Sequence, residues 1–91
     1  MNMPMPENLE VVDLSARTFP ASWRDAAIRL SYDRSIGGVA CMRCGKVFCG
    51  LAGLRIFEAD HKVAWTDGRL TTWENLELLC RPCNRTKGRG K

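Results

Sequence analysis

Cys80-Arg81-Pro82-Cys83-Asn84-Arg85-Thr86-Lys87-Gly88, residues 80–88, is the most constrained stretch of the chain. Proline is tolerated only in the first turn of a helix, because it lacks the amide hydrogen that later turns need. Pro82 therefore predicts a helix that starts near Cys80 or Arg81. Gly88 and Gly90 predict its end near residue 88. The two cysteines then lie at a helix N-terminus, where free N–H groups and the helix dipole stabilise thiolate charge. A second pair with the same spacing, Cys41-x-x-Cys44, is followed by Gly45. Two such pairs can deliver four thiolates to one tetrahedral ion, so Cys41, Cys44, Cys80 and Cys83 are expected to hold a structural Zn²⁺. A thiol redox protein would need one pair and would leave the other unexplained. Cys49, the fifth cysteine, is expected to be a small buried hydrophobe.

A metal staple suits the size of the chain. Its 91 residues imply one domain with a limited core. Apolar content of 45% and charged content of 26% are those of a globular protein. The start, residues 1–14, has no basic segment followed by a long apolar run, so it does not read as a secretory signal. No apolar run reaches membrane-spanning length. A cytoplasmic location with no membrane partner is expected, and there paired cysteines bind metal more often than they form disulfides. Formal net charge is +4, yet residues 80–91 carry five basic side chains and no acid. The remaining 79 residues therefore sum to −1. Basic charge gathered at one end is the electrostatic footprint of phosphate binding, and also the composition of a solvated tail.

Residues 1–19 are expected to begin mobile and then run extended against the domain, with Val11, Val12 and Leu14 as an apolar patch. Residues 20–91 are expected to form the domain proper, with its supporting helix and metal site. Residues 20–35, PASWRDAAIRLSYDRS, predict a helix. Ser22 and Asp25 form a capping-box pattern, and Trp23, Ala26, Ala27 and Leu30 recur at helical spacing. Gly37 and Gly38 break that period. Residues 54–59, LRIFEA, and 76–79, LELL, predict two short strands, joined by a turn-rich connection that contains Asp67-Gly68.

The one histidine of the chain, His61, follows Asp60 in FEADHKVAW, residues 57–65. From Cys41 to Gly88 the order is C-x-x-C, then Asp-His, then Asn75-Leu76, then C-x-x-C followed by Asn84 and a basic residue. This composite order resembles the zinc-containing members of the HNH endonuclease family, the ββα-metal nucleases. The resemblance implies a small α+β, treble-clef-like ββα-metal nuclease domain over residues 20–91, here with an added N-terminal helix. It also implies a metal-dependent DNA endonuclease that leaves 5′-phosphate and 3′-hydroxyl ends. By position, His61 would be the general base, Asp60 and Asn84 the ligands of a catalytic cation, and Asn75 the turn residue that orients the base. The family's last histidine is Asn84 here, an HNN variant. The residues after His61, KVAWTDG, also depart from the apolar, proline-containing run common in the family.

The chemistry of the residues agrees with this. Imidazole is the side chain whose ordinary pKa suits a general base near neutral pH. A divalent cation polarises a phosphate and stabilises a leaving oxygen. The hard oxygens of Asp60 and Asn84 favour Mg²⁺ or Mn²⁺. Lys87, three residues after Asn84, shares its helix face, and with Arg81, Arg85 and Arg89 is expected to bind DNA phosphates. Asp60 and His61 leave a regular strand on opposite faces, so both can serve one phosphate only if the strand ends there. One further reading stays open, a non-catalytic zinc-binding DNA module. Within the nuclease reading, nicking or double-strand cleavage, by a monomer or a dimer, are both compatible with the sequence. Phage packaging, restriction and mobile-element roles are all compatible with the sequence.

Overall fold

The computed structural model describes residue 1, residues 3–63 and residues 70–89. The elements run in the order α1 (Ala21–Ser31), β1 (Val39–Ala40), β2 (Val47–Phe48), α2 (Gly50–Leu54), β3 (Phe57–His61), a 3₁₀ turn (Trp73–Asn75), β4 (Leu76–Cys80) and α3 (Arg81–Arg89). Two antiparallel pairs, β1–β2 and β3–β4, make the sheets.

The central unit is β3–β4 followed directly by α3, a ββα arrangement in a small α+β fold. In β3 apolar and acidic residues alternate, so the strand has two chemically different faces. Phe57, Ala59 and His61 share one face with Leu76, Leu78 and Cys80 across the pair. Glu58 and Asp60 share the other with Glu77 and Leu79. Helix α3 covers the acidic face and α1 packs on the same strand pair. Phe57, Leu76, Leu78, Leu79 and Val39 are fully buried and join Trp23, Ala26, Ala27 and Trp73 in one core. Trp23 meets Trp73 edge to face with centroids 6.1 Å apart.

The β1–β2 hairpin carries the first cysteine pair in its turn. Gly45 adopts φ +76°, a left-handed conformation that side-chain-bearing residues rarely take. Its amide bonds the Cys41 carbonyl at 2.9 Å, which closes the loop. Gly38 has a different reason to be glycine, since a Cβ there would overlap the Phe48 carbonyl oxygen of the facing strand. Phe48 in turn packs edge to face on Phe57, 5.4 Å between centroids, and ties the hairpin to the core.

Several local expectations need correction. Helix α1 starts at Ala21 after Pro20, and no side chain caps it. Ser22 instead donates to the Glu10 carboxylate at 2.6 Å, and Asp25 pairs with Arg24. The N-terminal segment thus competes successfully for the expected cap. Leu30 is exposed, whereas Trp23, Ala26 and Ala27 are buried. The first strand of the pair is Phe57–His61, not residues 54–59, because its length is set by β4: Phe57 pairs with Cys80 and His61 with Leu76. Residues 50–54 are helical. Val12 packs on the core while Val11 and Leu14 are exposed. Cys49 is exposed just before α2, not buried. The Asp67-Gly68 turn lies outside the described residues.

Candidate metal centre and nuclease site

The hairpin turn and the β4–α3 junction bring the four paired cysteines together. Their sulfur atoms all lie within 4.8 Å of one another, and Cys44 Sγ is 3.9 Å from Cys80 Sγ. Four thiolates about 2.3 Å from a tetrahedral zinc stand about 3.8 Å apart, so the cluster has the size such an ion requires. The backbone has prepared one sulfur for charge. Burial raises the Cys41 thiol, but N–H groups of Cys44, Cys80 and Arg43 outweigh it and bring its pKa down to about 6. The amides of Arg43 and Cys80 each lie 3.4 Å from that sulfur. Cys83 is pushed up to about 12 by its hydrogen bond to Cys80 and by burial. Four thiols cannot all ionise side by side unless a cation holds them, which is how metal binding couples to proton release.

The acidic face of the β3–β4 pair forms a second cluster. Asp60 stands directly opposite Glu77, an arrangement that like charges disfavour. Lys87 resolves it. Its Nζ lies 3.0 Å from Asp60 Oδ2 and 2.7 Å from Glu77 Oε1, and it donates to the His61 carbonyl at 2.6 Å. Burial would lower the Lys87 pKa, but Glu77 and Asp60 outweigh it and hold the ammonium charged. Asn84, one turn earlier on α3, donates to Glu58 Oε1 at 2.9 Å. Arg81 lies 3.6 Å from the other oxygen of Glu58. Asp60 and Asn84 therefore face one seam between β3 and α3, together with Glu58 and Glu77, which sequence reasoning did not single out. The alternation of acids in FEADH was the available signal for Glu58. Glu77 becomes visible only once the strand register is known. Replacing Lys87 by Met should leave Asp60 and Glu77 opposed without a cation. We expect a loss of about 1 kcal/mol after solvent screening, read by urea unfolding, and partial recovery in millimolar Mg²⁺. An unchanged midpoint in both media would show that the ammonium is not needed there.

His61 occupies the other face. It ends β3, as the two-sided use of Asp60 and His61 requires, yet its ring is buried in a layer with Phe19, 4.5 Å between centroids. Nε2 lies 2.8 Å from Thr71 Oγ1. Burial lowers the His61 pKa, Asp60 raises it and Lys87 lowers it, with a net downward shift. Among the described residues Ser31 Oγ is the sealed side-chain polar atom without a partner, so Nδ1 of His61 is not a sealed orphan. Among the described residues Asn75 makes no hydrogen bond to the ring. Its Oδ1 accepts from the Val63 amide at 3.1 Å, and its Nδ2 donates to the carbonyls of Val63 and Leu70 at 3.3 and 3.1 Å. It thereby clamps the two ends of the connection that leaves His61. Arg81 and Arg85 are exposed on α3. Arg89 is the last residue of that helix, and its side chain lies outside the described residues.

A family model described as HNH endonuclease matches residues 41–90, which contain both cysteine pairs, Asp60, His61, Asn75 and Asn84. The chain belongs to the HNH endonuclease family. Neither a curated protein nor a solved structure matches it significantly. Among the described residues no helix is long and apolar enough to cross a membrane.

Proposed function

We propose that the protein is a zinc-stapled, metal-dependent DNA endonuclease acting in the cytoplasm, with His61 as general base and Asp60 and Asn84 as ligands of Mg²⁺ or Mn²⁺. The observation that carries the proposal is the seam between β3 and α3 in a chain of the HNH family. There two carboxylates from separate strands already close on one cation, the Lys87 ammonium. The donors are carboxylate and carboxamide oxygens, which suit a hard divalent ion. When bound, that ion supplies Lewis-acid stabilisation of the phosphate and of the leaving oxygen.

The residues of the chain do the remainder. His61 takes a proton from water as the water oxygen bonds to phosphorus and the bond to the 3′-oxygen breaks. The products are a 5′-phosphate and a 3′-hydroxyl, the second completed by a solvent proton. Asn75 keeps the segment after His61 in place through its three backbone contacts. Incubation of supercoiled plasmid with Mg²⁺ or Mn²⁺, beside a His61→Ala control, tests the proposal and separates nicked from linear product. Equal cleavage by both proteins, with contaminating nuclease excluded, would end it.

A specific observation favours a second reading, a non-catalytic zinc-binding DNA module. Lys87 neutralises Asp60 and Glu77, Glu58 is engaged by Asn84 and Arg81, and His61 is turned to the opposite face. That module would bind DNA and leave plasmid intact with either metal.

Both readings place the DNA backbone along α3, where Arg81, Arg85 and Arg89 follow one another. Lys87, engaged with Asp60 and Glu77, contributes less than its position in the sequence suggests. Affinity should fall steeply with salt. Replacing the three arginines by Gln should flatten log affinity against log salt by up to about 0.9 for each phosphate that is no longer neutralised. Fluorescence anisotropy with a labelled duplex measures the slope. An unaltered slope would move the DNA surface elsewhere, with Arg55 and Lys62 the next basic positions to replace.

A further inference from the structure

We infer that Thr71, together with the backbone of residues 14–19, fixes the tautomer of His61 and makes Nδ1 the atom that takes the proton. The inference rests on the reading of His61 as the base, and it assigns a positioning role to a segment outside the matched family region.

The argument starts from hydrogens. Thr71 is completely buried, and among the described residues its hydroxyl contacts two groups, the Ala16 carbonyl and His61 Nε2. A carbonyl oxygen has no hydrogen to give. The single hydroxyl proton of Thr71 is therefore donated to Ala16. The contact at Nε2 then has one consistent form, in which Nε2–H donates to a lone pair of Thr71 Oγ1. A neutral imidazole carries one N–H, so Nδ1 is left with its lone pair. The opposite tautomer would press the Nε2 lone pair against a hydroxyl oxygen whose proton is already committed.

The N-terminal segment holds this arrangement at three points. Leu14 accepts from the Thr71 amide at 2.9 Å, Ala16 accepts from its hydroxyl, and Phe19 lies on the imidazole ring. Residues 14–19 and Thr71 thus form a bracket around the far edge of the ring. Its effect on catalysis is indirect, since Thr71 touches neither the seam residues Asp60 and Asn84 nor Lys87 in any described contact. A base held in the wrong tautomer presents N–H where a lone pair is needed, and loses its function without losing its place.

The chain has one histidine, so the test is free of overlap. Long-range ¹H–¹⁵N correlation spectra of ¹⁵N-labelled protein, taken above the His61 titration, report which ring nitrogen carries hydrogen. We expect Nε2 protonated and Nδ1 bare in the wild type. Thr71→Ser should keep that pattern, and Thr71→Val should shift it toward a mixture of tautomers. In cleavage assays Thr71→Val should lower kcat by about 10- to 100-fold at nearly constant KM, and Thr71→Ser should recover most of it. A wild-type spectrum with hydrogen on Nδ1 overturns the inference whatever the variants do. So does a folded Thr71→Val protein with the wild-type pattern. If the spectra are as expected while His61→Ala still cuts DNA, the tautomer assignment stands and the reading of His61 as base fails.

Discussion

Removing the bound metal with a strong chelator should abolish the cooperative unfolding transition of the protein. Structural zinc contributes about 10–16 kcal/mol of apparent binding free energy, and binding to a site that forms only on folding is folding free energy. Whole domains are stable by about 5–15 kcal/mol, so this loss is of the same size as the total. The architecture leaves little to replace it. Strands β1 and β2 have two residues each, and α2 has no buried residue. This lobe is tied to the rest by the four-cysteine cluster, buried Val39, the Phe48–Phe57 contact and a strand-like bond from the Met42 amide to the Leu78 carbonyl at 3.1 Å. Replacing buried Cys80 by Ser should have the same consequence, because a neutral hydroxyl would stand where a thiolate is needed. Metal analysis of protein purified without added metal should give one zinc per chain, and tryptophan fluorescence during heating should lose its sigmoid after chelation. A folded, zinc-free protein with two disulfides would refute the site.

The four-cysteine cluster was legible in the sequence because its information is local. Two fixed spacings supply four ligands, and the turn and the helix start that present them are set by Gly45 and Pro82. Helix α3 was legible for the same reason, and the buried face of α1 followed from Trp23, Ala26 and Ala27 at helical spacing. Legibility ended where a contact joins distant segments. Ser22 is a cap by pattern, but Glu10 takes its hydroxyl from twelve residues away. The start of β3 depends on the register with β4, which local hydropathy does not encode. Thr71 and Thr72 are neighbours of one residue type, and only the fold turns Thr71 onto His61 and Ala16. Lys87 reads as a phosphate ligand because nothing in its own helix says that Asp60 and Glu77 face it. For Ser22, Thr71 and Lys87 a side chain with several possible partners was claimed by one far along the chain.

Three substitutions should fail in three different ways if the proposed assignment holds. His61→Ala should keep DNA binding and zinc and lose cleavage by the roughly 10²–10⁴-fold that a general base contributes. Asp60→Ala should retain zinc in the cysteine cluster but bind Mg²⁺ and Mn²⁺ more weakly, seen by calorimetry, because the seam loses the carboxylate that pairs with Glu77 across the strands. It should also release Lys87 from one of its two ion pairs. Asn84→His should keep a cation site yet admit Ni²⁺ or Co²⁺, since imidazole nitrogen replaces a hard oxygen. The pH profile separates the base from the ligands. Only neutral imidazole can accept a proton, so the wild-type rate falls as pH drops through the His61 pKa. Burial is the largest influence on that pKa and lowers it, so the acid limb should lie below the ordinary imidazole value of about 6.5. His61→Ala should leave a low residual rate without that limb. A His61→Ala protein with the wild-type acid limb would assign the titrating group elsewhere, and the base with it.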